Sequence, residues 1–356
     1  MKLAIISDAW QPQVNGVVRT LERVCAELAA LGDEVEVFGP DRFRNFAMPG
    51  YADIRLAILP RAALARMLDA FQPDALHVAT EGPLGLAVRA IAAERSWRFT
   101  TSFHTRFAEY VTARTGIPPG ITWALLRRFH NAGAGTFAAT PSLRDELASR
   151  GFGRILPWTR GVDLRLFHDG VRDAWAGLPR PVFLYAGRVA VEKNIAAFLD
   201  LDLPGSKVVV GDGPQRGALQ GRYPSVHFAG WRHGEELAHA YRGADVMVFP
   251  SRTDTFGLVL LEAMACGTPV AAFPVMGPRD VVGRGGVLDE DLRRACLAAL
   301  NIGRAMPRAE AEGFSWPACA AVFRAGLVSR EADQVMVDGN LPPAPGPGTP
   351  HASISP

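Results

Sequence analysis

The sequence predicts an α/β protein of two domains, each a parallel sheet covered by helices on both faces, and three observations lead there. Short apolar runs alternate with stretches of helical periodicity along most of the chain. The alternation starts twice, at residues 3–6 and again at 181–186. The length, 356 residues, suits two domains of ordinary size.

Taken in order, 3–6 reads as a buried strand and 11–16 as a loop. Val17, Leu21, Val24, Cys25, Leu28 and Leu31 then recur at helical spacing until Gly32 ends the helix. Strands at 35–38, 75–78 and 99–102 continue this first array. The second array runs through 181–186, 207–210, 226–228, 245–249 and 269–273. Residues 339–356 hold six prolines among small residues, a composition that cannot bury enough surface to fold, so a disordered tail is expected from about residue 329.

Composition narrows the class. Apolar content of 48% with 21% charge is that of a globular protein. Cys25, Cys266, Cys296 and Cys319 form no C-x-x-C pair, so neither a disulfide framework nor a zinc site is expected, and a reducing, cytoplasmic compartment is. The N-terminal apolar run is too short for a signal peptide and no 18-residue apolar run follows, so neither export nor a membrane crossing is expected. A net charge of +2 argues against nucleic acid as a main partner. Residues 1–160 carry 19 basic against 15 acidic side chains, a sign that suits contact with an anionic membrane surface.

The segment from Phe249 to Val270 carries most of the functional information. It reads as strand, tight loop, helix and strand, with Asp254 in the loop and Glu262 on the helix. Backbone amides of Phe256, Gly257, Leu258 and Val259 open the helix, and such an end attracts phosphate. Carboxylates beside an anion cradle suit a ligand that also has hydroxyls, because they accept charge-assisted hydrogen bonds. In Gly187-Arg188-Val189-Ala190-Val191-Glu192-Lys193, Arg188 offers a planar fork for phosphate oxygens and Lys193 a mobile point charge. Asn15-Gly16-Val17 places a glycine where the first strand meets the first helix, and Gly211-Asp212-Gly213-Pro214 is a turn signal after the run 207–210. The first loop contains no G-x-G-x-x-G, which counts against a dinucleotide-binding oxidoreductase.

The Asp254-x7-Glu262 segment, with its Ala-rich helix and Gly267-Thr268-Pro269-Val270, resembles the C-terminal signature of the retaining GT-B glycosyltransferases of glycosyltransferase family 4. The wording Ser251-Arg252-Thr253-Asp254-Thr255-Phe256-Gly257 is similar to a subgroup of GDP-mannose-dependent mannosyltransferases and diacylglycerol and sulfolipid glycosyltransferases. The resemblance spans roughly residues 2–328 and implies a GT-B fold, two Rossmann-like domains facing a cleft. It implies an acceptor-side domain at 1–160 and a nucleotide-sugar domain at 161–313, divided at Arg160-Gly161-Val162-Asp163. A helix at 314–328 is implied to return to the first domain.

The same resemblance assigns roles. Arg188 and Lys193 would neutralise the leaving diphosphate, so no catalytic metal or other cofactor is expected, and His104 of Ser102-Phe103-His104-Thr105 would lie against the donor sugar. Glu262 would bind the nucleotide ribose, and Asp254 or the amides near Thr255 the sugar, with Gly16, Gly211 and Gly213 on the donor side. The implied reaction is hexosyl transfer from a nucleoside diphosphate sugar by front-face displacement, to a lipid or glycolipid. A polysaccharide acceptor, or an inert sugar-nucleotide binder, stands as the alternative. Trp123, Leu126 and Phe129, with Arg127 and Arg128, are read as one side of an amphipathic helix that either docks on a membrane or packs in the core. Asp200-Leu201-Asp202 is read as a loop rather than a metal site, and His130, His227, His233 and His239 as surface or capping residues.

Overall fold

The computed structural model describes residues 1–13, 15–48, 51–104 and 117–331. Val14, Thr105-Arg106-Phe107 and the Pro-rich segment 339–356 of the sequence reading lie outside the described residues.

The first half begins with β1 (Lys2–Ile6), the helix Gly16–Ala30 and β2 (Glu34–Phe38). A hairpin of β3 (Asn45–Met48) and β4 (Tyr51–Ala57) follows, and then β5 (Ala75–Val78), β6 (Thr100–Phe103), β7 (Gly135–Ala138) and β8 (Ile155–Pro157). All but the hairpin join one parallel sheet, in the order β2-β1-β5-β6-β7-β8. The second half supplies β9 (Val182–Ala186), β10 (Ser206–Val210), β11 (His227–Gly230), β12 (Val246–Phe249), β13 (Val270–Ala272) and β14 (Gly286–Leu288). These form a second parallel sheet, β11-β10-β9-β12-β13-β14. The central strands are apolar on both faces because helices cover both; Leu3 to Ile6 and Val182 to Leu184 are fully shielded.

Each sheet reverses its strand order once, between β1 and β5 and between β9 and β12. Open α/β sheets bind ligands beyond the carboxyl ends of strands at such a switch point. The loops leaving β9 and β12 carry Arg188, Lys193 and Asp254, and His104 follows β6 directly.

Strands β7, β8 and β14 and the hairpin go beyond the sequence reading. β8 and β14 are three residues long and β7 holds only Gly-Thr-Phe-Ala, so each owes its form to pairing with a neighbour rather than to its own pattern. Pro157 sits at the end of β8, an edge strand, where no partner needs its missing N–H.

The last helix, Trp316–Gly326, is capped by the Ser315 hydroxyl, which accepts from Ala318 N at 3.3 Å. It packs on the first half, not the second. Phe323 joins Phe137, Trp158 and His77 in one aromatic cluster beneath the first sheet. Arg324 donates to both oxygens of Asp33, at 2.6 and 2.9 Å, and the N-terminal ammonium donates to the same carboxylate at 3.1 Å. The Arg324 hydrogen bond, with the ammonium second, holds the Asp33 carboxyl below its usual range against the opposing effect of burial. Because the folded-state value is depressed, this contribution to stability is present above the unfolded carboxylate value, about 3.9, and is lost as pH falls through the folded one. Asp33→Asn is expected to cost roughly 1–3 kcal/mol near neutral pH and to weaken the loss of stability in acid, read by urea unfolding across that range. Equal pH dependence of variant and parent would remove Asp33 from the account.

No helix among the described residues is long and apolar enough to cross a membrane.

Candidate active site

Asn194 Nδ2 donates to Pro250 O at 3.1 Å and Thr253 Oγ1 to Glu192 O at 3.4 Å, so the loops after β9 and β12 are stitched to each other. Tyr185, buried in β9, donates its hydroxyl to Arg188 O at 2.7 Å and fixes the backbone there. Lys193 Nζ lies 2.5 Å from Asp254 Oδ1. The other carboxylate oxygen of Asp254 is buried and has no hydrogen-bond partner among the described residues. The switch point of the second sheet thus holds a cation and an anion side by side, with one strong acceptor left over.

Gly211 and Gly213 explain how the loop bearing Arg188 is shaped. Gly211, at φ +133°, passes so close to Gly187 that a Cβ would lie 1.9 Å from the Gly187 carbonyl oxygen. Val189 N donates to Asp212 O at 2.8 Å, and Gly187 N to Val210 O at 3.0 Å. The loops after β9 and β10 therefore touch backbone to backbone.

The helix Leu258–Ala265 starts at Gly257, whose φ of +89° turns the chain into it, and no side chain caps it. Phe256 is buried, and the Thr255 hydroxyl donates to the backbone oxygen of His104, on the other half, at 2.8 Å. Leu258 reaches across to within 3.9 Å of where a Gly16 Cβ would stand. At the start of the first helix the amides of Val17 and Val18 are occupied. Asn15 Oδ1 accepts from both Val17 N and Val18 N at 3.0 Å, so this helix start is already capped.

Glu262 is buried and both oxygens are engaged, Oε1 by Arg19 at 3.2 Å and Oε2 by the Tyr241 hydroxyl at 2.9 Å. Burial raises its affinity for a proton, and Arg19 and Tyr241 work against that. Sequence reasoning missed Arg19, which lies in the first turn of the first helix and faces a carboxylate 243 positions away. Glu262 lines a cavity of about 290 Å³ between the halves, with Arg19, Arg23, Asp163, Phe167 and Leu237. Arg23 meets Asp163 there at 3.1 Å.

One open reading is decided and one expectation corrected. Of the two readings of the helix Pro119–His130, core packing holds for Trp123, which is 6% exposed and stacks on Phe103 with centroids 5.7 Å apart, because the apolar side of that helix covers the first sheet. Arg127 and Arg128 are exposed, beside Ile121 and Leu125 on the outer side. His130 is a core residue, not a surface or capping one, with Nε2 3.0 Å from Glu81 Oε1 and Nδ1 2.8 Å from Thr101 Oγ1. His239 pairs with Asp173 at the surface, and Asp200 accepts from Arg222 and Tyr223. Among the described residues no cluster of histidine, cysteine and carboxylate side chains has the form of a metal site.

His104 stands at the end of β6 with its Nε2 shielded from solvent and without a partner among the described residues, while Arg160 reaches its Nδ1 at 3.1 Å. Burial first, then Arg160, His77 and His130, hold the ring well below the ordinary imidazole value, so it is neutral.

Two Rossmann-like sheets facing a cleft, with charged loops at the switch point of the second, are the architecture of GT-B glycosyltransferases. A solved sucrose-phosphate synthase from Thermosynechococcus elongatus shares it, with a TM-score of 0.72 at 23% identity over 91% of this chain and 97% of that one. Residues 14–166 match the family model described as Glycosyltransferase Family 4, and residues 180–301 the one described as Glycosyl transferases group 1. A GDP-mannose-dependent alpha-mannosyltransferase of Mycolicibacterium smegmatis is 32% identical over 84% of this chain and 87% of its own length. A GDP-mannose-dependent alpha-(1-6)-phosphatidylinositol dimannoside mannosyltransferase of Mycobacterium tuberculosis is 26% identical over 92% and 96%. The chain belongs to glycosyltransferase family 4.

Proposed function

We propose that the enzyme moves a hexosyl group, mannosyl foremost, from a nucleoside diphosphate sugar to a lipid or glycolipid, with retention and without a catalytic metal. The observation that carries the reading is the Lys193–Asp254 pair with the unpartnered Asp254 oxygen beside it. A nucleotide sugar presents a diphosphate and, one bond beyond, a ring of hydroxyls, and a cation abutting an anion matches that sequence of charges. Arg188 and Lys193 supply the positive charge that offsets what the leaving diphosphate gains as the glycosidic bond breaks. Asp254 accepts from a sugar hydroxyl and His104 donates to one from the opposite half. The acceptor oxygen then approaches on the face the diphosphate leaves, and a phosphate oxygen takes its proton.

The names of the two mannosyltransferases support GDP-mannose as donor, and that of the second a glycolipid acceptor. The surface of the first half fits the same reading. Ile121 and Leu125 are exposed beside Arg127 and Arg128, and residues 1–160 have a positive balance, which suits an anionic lipid surface on the cytoplasmic side.

The test is a screen of GDP- and UDP-hexoses by thermal shift and turnover, in EDTA, with vesicles containing phosphatidylinositol or diacylglycerol. Stabilisation by GDP-mannose, and transfer of mannose to lipid in the α configuration despite EDTA, are expected. Nucleotide binding without transfer to any lipid or glycan would overturn the enzyme reading, and loss of transfer in EDTA the metal-free one.

A further inference from the structure

We propose that Arg160 is a positioning residue that fixes the tautomer of His104, reserving Nδ1 as an acceptor so that the ring always carries its proton on Nε2. The proposal rests on the reading that His104 meets the donor sugar, since Nε2–H is then the group that meets it.

The argument begins with what a guanidinium can do. It has five N–H donors and no acceptor, and it keeps its proton in proteins. Arg160 Nη2 lies 3.1 Å from His104 Nδ1, so Nδ1 must present its lone pair and the proton of the neutral ring must be on Nε2. The partner is itself immobile. Arg160 Nη1 donates to the carbonyls of Trp158 and Thr159, at 2.8 and 2.9 Å, and the guanidinium lies 4.3 Å over the Trp158 ring. Arg160 is 5% exposed. Trp158 also meets the imidazole edge-on, with centroids 5.5 Å apart, so ring and guanidinium are held against one indole.

Among the described residues, the titratable and charged groups that face the His104 ring are Arg160 from the crossover after β8, His77 from β5 and His130 from the helix Pro119–His130, and each opposes a proton on it. Adding one would place a second positive charge against the guanidinium. The ring is therefore a neutral donor over the working pH range, and it neither accepts a proton from the acceptor nor becomes a competing cation near the diphosphate. An amide side chain in place of Arg160 would offer both a donor and an acceptor, which would leave the tautomer open.

The experiment uses the full chain with ¹⁵N-labelled histidine and long-range ¹H–¹⁵N correlation from about pH 8 to about pH 5.5, the His104 signals being assigned by their loss in His104→Gln. The parent is expected to show an unprotonated Nδ1 and a protonated Nε2 throughout. Arg160→Met is expected to move Nδ1 towards the protonated position, and Arg160→Lys to restore the parental pattern. In turnover, Arg160→Met is expected to lower kcat about tenfold while KM changes less than about threefold. A parental ring with its proton on Nδ1, or ring signals unchanged in Arg160→Met, would overturn the proposal. Both spectroscopic readouts need no donor or acceptor, so they stand or fall apart from the function proposed above.

Discussion

Replacing Lys193 by Met is expected to lower kcat roughly a hundredfold to a thousandfold, with a smaller change in nucleotide affinity. In the proposed reaction the cation acts on charge that grows on the diphosphate as the bond breaks, so its loss would fall mainly on the transition state. A second effect has a different origin. Asp254 would lose the partner of Oδ1 while Oδ2 already has none among the described residues, leaving a largely buried carboxylate with neither oxygen matched there. The double variant Lys193→Met, Asp254→Asn is therefore expected to be less impaired than the product of the two single changes predicts. Single-turnover rates of the three variants, each at saturating donor, measure this. A kcat for Lys193→Met within about threefold of the parent would place the diphosphate elsewhere.

Gly211→Ala is expected to be the most damaging single methyl group in the second half, costing about 3 kcal/mol or more. Two faults coincide there. A backbone φ of +133° is strained for alanine, and its Cβ would sit 1.9 Å from the Gly187 oxygen, an atom that cannot swing aside as a side chain can. Relief requires the loop after β9 to move, and that loop carries Arg188 and Lys193. Loss of stability in urea should accordingly be accompanied by loss of the thermal shift given by the donor. Gly217→Ala is the matched control. It lies in the helix Arg216–Arg222 with nothing within 4 Å of the new carbon, so it should be neutral or slightly stabilising. If both variants unfold alike, the contact with Gly187 is not the cause.

The buried strands of both sheets were legible because residues such as Leu3 to Ile6 and Val246 to Phe249 must be apolar on both faces, and a continuous run records that. The candidate site was legible in the same measure. Arg188, Lys193, Asp254 and Glu262 lie in two short segments whose spacing is a property of the chain itself. What escaped was set by partners distant in sequence. Nothing around Trp123 distinguishes an apolar face turned to lipid from one turned to β6, and only the fold decides it. Glu262 read as an open ligand group because Arg19, which occupies it, belongs to the other half of the chain. Arg160 read only as part of the segment that divides the domains, since the imidazole it faces is 56 positions away.

The return of the last helix to the first half means that the chain bridges the cleft twice, outward at Gly161–Asp163 and back at Phe314–Ser315. The two crossings are adjacent: Val162 N donates to Phe314 O at 3.1 Å, and a Cβ on Gly161 would meet Trp316 N at 2.4 Å. A single tether would let the halves twist about it freely. Two tethers bound edge to edge form one knuckle, which leaves bending about that line as the easy motion and makes torsion between the halves costly. Bending about that line would part Thr255 from His104 along a single arc, so the two halves would meet again in one register.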